Sequence, residues 1–213
     1  MSRRAEILAE MGLAPVWKLR STKPAVAWIP LKAAVSGCTK CALHKTRTQT
    51  VFGVGDESAD WMLIGEAPGA EEDRLGDPFV GQAGKLLDNM LAAIGLSRKK
   101  NVYIANVLKC RPPGNRNPAP EEVEKCTPHL LQQIELIQPK LILAMGRFAA
   151  QTLLKSDASI ASLRGRLHSY AGVPLIVTYH PAYLLRTLED KAKAWEDLVF
   201  AVKVMREKEG RAA

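Results

Sequence analysis

Between residues 60 and 178 the chain alternates short, unbroken apolar runs with longer segments whose apolar residues recur at helical spacing. That alternation limits the fold more than any other feature. Trp61-Met62-Leu63-Ile64, Val102-Tyr103-Ile104-Ala105 and Leu141-Ile142-Leu143-Ala144 are the three runs. Their brevity and continuity fit strands buried on both faces, since a half-buried strand would alternate apolar with polar residues. Leu86, Leu87, Met90, Leu91 and Ile94 mark a helix over residues 84–94 that stops at Gly95. A second helix is expected over residues 121–138, starting just inside Pro120, and a third over residues 147–154. Residues 167–171 and 174–178 flank Gly172 as a hairpin, and residues 192–208 form a last amphipathic helix. Strands alternating with helices imply a mainly parallel sheet covered on both faces. In such a sheet the loops leaving the carboxyl ends of the strands build the active site. The loops after Ile64, Ala105 and Thr178 are therefore expected to converge.

A chain of 213 residues, 47% of them hydrophobic, makes one domain with a real core and is short for two. The expected division is a partly helical leader over residues 1–35, the domain over residues 36–208 and a tail over 209–213. Residues 3–11 read as a short helix, and Trp17 and Trp28 are the side chains able to pack the leader onto the body. Thirty Lys and Arg against 22 Asp and Glu leave a formal charge of +8. Such a balance suits a polyanionic partner, although it serves plain solubility as well. No stretch is apolar for long enough to span a bilayer. Glu6 and Glu10 interrupt the only N-terminal apolar run, so a signal peptide is not expected. A cytoplasmic protein, nucleoid-associated in a prokaryote, is the default, and structural disulfides are not expected there.

The four cysteines then need another role. Cys38 and Cys41 form a C-x-x-C pair, while Cys110 and Cys126 bracket the basic loop Arg111-Pro112-Pro113-Gly114-Asn115-Arg116. A close pair supplies two corners of a metal site, and the other two can come from far along the chain. Spacing alone leaves zinc and an iron–sulfur cluster both open, with ordinary buried thiols as the plain alternative.

Three loops hold the polar chemistry. Gly65-Glu66-Ala67-Pro68-Gly69-Ala70-Glu71-Glu72-Asp73 ends in Pro78-Phe79-Val80-Gly81. A carboxylate there can orient a water or stabilise a sugar cation; a solvated acidic turn is the bland reading. Phe79 is either core or a face for a planar base. Asn106 closes the second strand, and its amide sets a donor beside an acceptor, matching a pyrimidine edge. In Tyr179-His180-Pro181-Ala182-Tyr183-Leu184-Leu185-Arg186, the histidine can donate to an oxyanion. The leucines can wedge into a base stack beside an arginine that holds phosphate. A core histidine before a helical turn explains the same octamer without function.

Taken in order, these segments resemble family 4 uracil-DNA glycosylases. The matching text is Gly65-Glu66-Ala67-Pro68-Gly69 with Glu72-Asp73, Pro78-Phe79-Val80-Gly81, Asn106-Val107-Leu108-Lys109-Cys110-Arg111-Pro112-Pro113, and His180-Pro181-Ala182-Tyr183-Leu184-Leu185-Arg186. The resemblance covers about residues 36–207 and is specific as an ordered set. It implies a three-layer α/β/α sandwich around a mainly parallel four-stranded sheet, and a monofunctional, base-flipping hydrolase that leaves an abasic site. It also implies a 4Fe–4S cluster held by Cys38, Cys41, Cys110 and Cys126, and uracil-containing DNA, single- or double-stranded, as the partner of a monomer. Glu66, Glu72 and His180 would be catalytic, with Glu72 the better candidate for positioning water. Ala67, Phe79, Asn106 and His180 would hold uracil, while Arg111, Arg164, Leu184, Leu185 and Arg186 would meet DNA. Ala70 stands where the family often carries glutamate. The short loop over residues 111–121 lacks the histidine by which the related family X traps the sugar, which favours ordinary turnover. The rival reading is a non-catalytic iron–sulfur nucleic-acid-binding module. The joint presence of Glu66, Phe79, Asn106 and His180 stands against it.

Overall fold

A computed structural model describes residues 25–208 together with Met11 and Gly210. The helix expected over residues 3–11, the docking of Trp17 and the tail lie outside the described residues.

The three apolar runs are strands β2 (Trp61–Gly65), β3 (Val102–Asn106) and β4 (Leu141–Met145), with every residue buried. A short strand β1 (Val54–Gly55) precedes them, and the hairpin β5 (His168–Tyr170) and β6 (Val173–Thr178) follows. The strand order is β1-β3-β2-β4-β6-β5. The four central strands β3, β2, β4 and β6 are parallel, whereas the edges β1 and β5 are antiparallel to their neighbours. The four-stranded parallel sheet is thus present, extended to six strands by two short edge strands.

The continuity of the apolar runs has a simple cause. In β2 and β3, Met62, Ile64, Tyr103 and Ala105 point into one core, and Trp61, Leu63, Val102 and Ile104 into the other. Successive side chains alternate faces, so a strand covered on both must be apolar throughout. The first core is covered by α1 (Ala25–Ser36), α4 (Pro120–Ile137) and α5 (Arg147–Leu154). In the second core, α3 (Gln82–Ala93) and α8 (Asp190–Lys208) cover the sheet. Helix α4 buries Cys126, His129, Leu130, Gln133, Ile134 and Ile137, a stripe at i, i+3, i+4 and i+7 spacing. Three shorter helices, α2 (Ala70–Leu75), α6 (Ile160–Leu163) and α7 (Pro181–Leu184), sit in the loops. Helix α1 falls in the stretch expected as leader. Its Trp28, Leu31 and Val35 are buried, and Trp28 packs edge-on to Phe52 and tilted against Tyr103. Among the described residues no helix is long and apolar enough to cross a membrane.

Candidate active site and cysteine cavity

The carboxyl ends of β2, β3 and β6 open on one pocket, lined among others by Glu66, Ala67, Glu72, Phe79, Asn106 and His180. The loops meet because the strands do. Gly65 pairs with Asn106 in the sheet, and the pairing runs on past both strand ends, Val107 N–H donating to Gly65 and Leu108 N–H to Glu66. Gly65 is required there: a Cβ would stand 2.4 Å from Asn106 Oδ1 and 2.8 Å from Phe79 Cζ.

Asn106 is 3% exposed, yet its amide makes no hydrogen bond to any described residue. Asn106 lines the pocket, so its free donor and acceptor are available to a ligand there. Phe79 is held in the left-handed region at φ 55°, which costs about 1–2 kcal/mol for a residue with a Cβ. Its ring stacks on His180, centroids 5.4 Å apart.

His180 caps α7: its Nδ1 accepts from Ala182 N–H at 3.1 Å. Burial pushes its pKa down to about 4, with Glu72 opposing and Arg186 adding to the shift. The ring is therefore neutral near pH 7. With Nδ1 occupied as an acceptor, the ring proton is on Nε2, which is free to donate.

The two carboxylates expected to be catalytic differ. Glu72 Oε2 accepts from Gly69 N–H at 3.1 Å, and Oε1 accepts from Val80 N–H at 3.0 Å and Gly81 N–H at 3.4 Å. These bonds join the two halves of the first loop, so Glu72 braces the pocket wall that it also lines. Asp73 does a similar job, with both oxygens receiving Thr48 N–H at 3.0 Å. Glu66 makes no such bonds among the described residues; burial raises its pKa, and nearby Arg147 counters.

The expected DNA-contacting residues separate in the same way. Leu184 is 1% exposed and packs beside Leu86 and Met90 of α3, whereas Leu185 is 43% exposed. Arg164 is taken up by Glu196 at 2.9 Å and Asp197 at 3.1 Å, and lies over Tyr179 rather than in the pocket. It is a strut between α6 and α8. Arg186 lines the pocket and is exposed. Arg111 Nε donates to Asn115 Oδ1 at 2.8 Å, stiffening the basic loop. From that loop Pro112, Asn115, Arg116 and Asn117 reach the pocket; the sequence marked the loop as basic but gave none of these four a site role.

Cys38, Cys41, Cys110 and Cys126 ring a second, small cavity. Lys40, Arg47, Lys109, Lys125 and His129 complete its wall. Arg47 Nη1 donates to Cys110 Sγ at 3.1 Å, and Lys109 N–H to Cys126 Sγ at 3.3 Å. His129 Nε2 is buried there without a partner. Such a wall fits a group that is net negative and bears sulfur acceptors. Among the described residues, no three His, Cys, Asp or Glu side chains close on one point as the ligands of a single metal ion do.

Lys109 is 1% exposed and has no carboxylate partner among the described residues. Its Nζ donates to Asn106 O at 2.9 Å and Gln133 Oε1 at 2.6 Å, between the two cavities.

The family model described as the uracil DNA glycosylase superfamily matches residues 52–199, which include the whole pocket lining with Cys110 and Cys126. The type-4 uracil-DNA glycosylase of Archaeoglobus fulgidus is 50% identical over 159 residues, 71% of this chain and 79% of that protein. That of Pyrobaculum aerophilum is 42% identical over 79% of this chain and 89% of its own length. The Thermotoga maritima enzyme is 44% identical, covering 75% and 83% respectively.

Proposed function

The chain belongs to the uracil DNA glycosylase superfamily and, within it, to the type-4 glycosylases; from that premise we infer that it is a DNA-repair hydrolase that cuts the N-glycosidic bond of uracil in DNA. The observation that carries this reading in the chain itself is the Asn106 amide, free of protein hydrogen bonds on the pocket wall, with the ring of Phe79 and the neutral His180 lining the same pocket. An amide offers a donor and an acceptor side by side, as the uracil edge requires, and an aromatic face takes a flipped base by stacking. Cleavage leaves a uracil anion and an oxocarbenium-like sugar. His180 Nε2–H is placed to donate to the oxygen on which the anion's charge grows; a neutral imidazole does so without giving up its proton. Glu66, free of structural bonds, takes the sugar side, where its charge stabilises the cation or orients the attacking water.

The cysteine cavity holds a 4Fe–4S cluster, with one thiolate of Cys38, Cys41, Cys110 and Cys126 for each iron. Four thiols ringing a cavity suit a cluster better than one zinc, whose ligands must all come within about 2.3 Å of a single point. When bound, the cluster supplies structural ties, joining the segment after α1 to both ends of the basic loop. Arg186, Leu185 and the rim of that loop form the DNA-facing side, and the protein acts as a monomer.

The test is incubation with an oligonucleotide carrying one uracil, followed by alkali to break abasic sites. A single cut at the uracil, in single strands and in duplex, is the expected result. Uncut substrate of both kinds overturns the function.

A further inference from the structure

Arg98 lies outside the pocket, behind the loop that carries Phe79. Its Nη1 donates to Pro78 O at 2.8 Å, and its Nη2 donates to the carbonyls of both Phe79 and Gly84. Its Nε is held by the Asp88 carboxylate on α3. Three carbonyls turned toward one spot repel one another, and the planar fork of a guanidinium is the side chain that can satisfy them together. Gly84 completes the grip: a Cβ there would stand 1.7 Å from Phe79 O. The backbone of Phe79 is in the left-handed region, φ 55°, where a non-glycine residue stays only if its surroundings hold it. Fixing the carbonyl fixes the peptide plane, and with it the direction in which the ring leaves the Cα.

We propose that Arg98 is a positioning residue for base recognition: by gripping the Phe79 carbonyl it sets the ring against His180 and so shapes the slot that takes uracil. This rests on reading the pocket as a uracil slot. A residue that merely staples the loop would have the same contacts, so the test must separate the two roles.

Arg98→Ala, Phe79→Ala and the double variant form a cycle with the wild type. Each is read by single-turnover cleavage, by inhibition with free uracil and by affinity for an abasic-site duplex. Arg98→Ala is expected to weaken uracil inhibition and slow cleavage by about tenfold, the scale of a small misplacement. In the Phe79→Ala background the same change should cost less than about twofold, because its route of action is gone. Abasic-duplex affinity should hold within about twofold in every variant. Equal factors in both backgrounds, or abasic affinity falling in step with uracil inhibition, overturn the proposal. If Arg98→Ala does not fold, Arg98→Gln, which keeps one amide donor, takes its place in the same cycle. Wild type that leaves uracil DNA uncut sinks the glycosylase reading and this proposal together. Wild type that cuts, with Arg98→Ala equal to it, sinks the positioning role alone.

Discussion

In the pocket, the groups that matter are left open. The Asn106 amide, the Glu66 carboxylate and the Nε2 of His180 have no hydrogen-bond partner among the described residues, while Glu72 and Asp73 nearby accept backbone N–H groups as braces. Around the cysteines, backbone and side-chain N–H groups are already aimed at the sulfurs, and four cationic side chains crowd the wall. The difference follows from how long each site keeps its occupant. A site for a transient base must hold unmet hydrogen-bonding capacity against water, whereas one for a permanent group is completed around it. Lys109 joins the two: its backbone N–H serves Cys126 and its ammonium serves the Asn106 carbonyl.

The sharpest way to break this contrast is to remove a thiol. Cys110→Ser is expected to yield little folded protein and no iron, because the cavity lies against the core that α4 closes. Metal analysis of purified wild type should find iron, and one zinc with no iron would refute the cluster. His180→Ala is the opposite case. Single-turnover cleavage should fall by roughly a hundredfold or more, the scale for losing one oxyanion donor, with iron content unchanged. If iron is lost along with the rate, the two regions are not separable.

Within the pocket the carboxylates carry the contrast on a smaller scale. Glu66→Gln should slow cleavage while leaving the melting temperature close to wild type. Glu72→Gln should lower the melting temperature, since an amide cannot accept at both ends; a charge-assisted bond to backbone N–H contributes about 1.5–3 kcal/mol. A rate loss confined to Glu72→Gln with unchanged melting would reverse the assignment. Leu184 and Leu185 divide likewise. Leu184→Ala should destabilise the fold by about 2–5 kcal/mol. Leu185→Ala should spare stability and reduce excision from duplex more than from single strands, since only the duplex must be held open. Equal losses on the two substrates would remove the wedge.

The last effect is the pH dependence. The folded-state pKa of His180 lies near 4, below the ordinary 6.5. The unfolded chain thus binds more protons between those values. The contribution to stability is complete above pH 6.5 and is lost as pH falls from there toward 4. Denaturant titrations of wild type and His180→Ala should converge across that window. Parallel curves would show that burial does not hold the ring neutral.

Much of the fold was legible because both faces of the sheet are covered. That forces β2, β3 and β4 to be apolar throughout, and such runs stand out in a sequence. Other elements left no comparable trace. Helix α1, AVAWIPLKAAVS, has Pro30 inside it and no polar stripe, so it shows neither helical nor strand periodicity. Strand β1 has two residues and α7 has four, too few for any period to show. Leu184 and Leu185 are neighbours of the same type, and adjacent positions on a helical turn face different ways, so only packing against α3 decides which one is buried.

By itself the sequence determined the chemical inventory and where along the chain it falls: four thiols in two places, and carboxylates, an amide, a histidine and an aromatic ring at strand ends. Which of these groups is free was decided only in the tertiary structure. The N–H groups that occupy Glu72 come from Gly69, Val80 and Gly81, those that hold sulfur come from Arg47 and Lys109, and the carboxylate partners of Arg164 lie more than thirty residues away. A hydrogen bond is set by distance and direction in space, and chain separation carries neither.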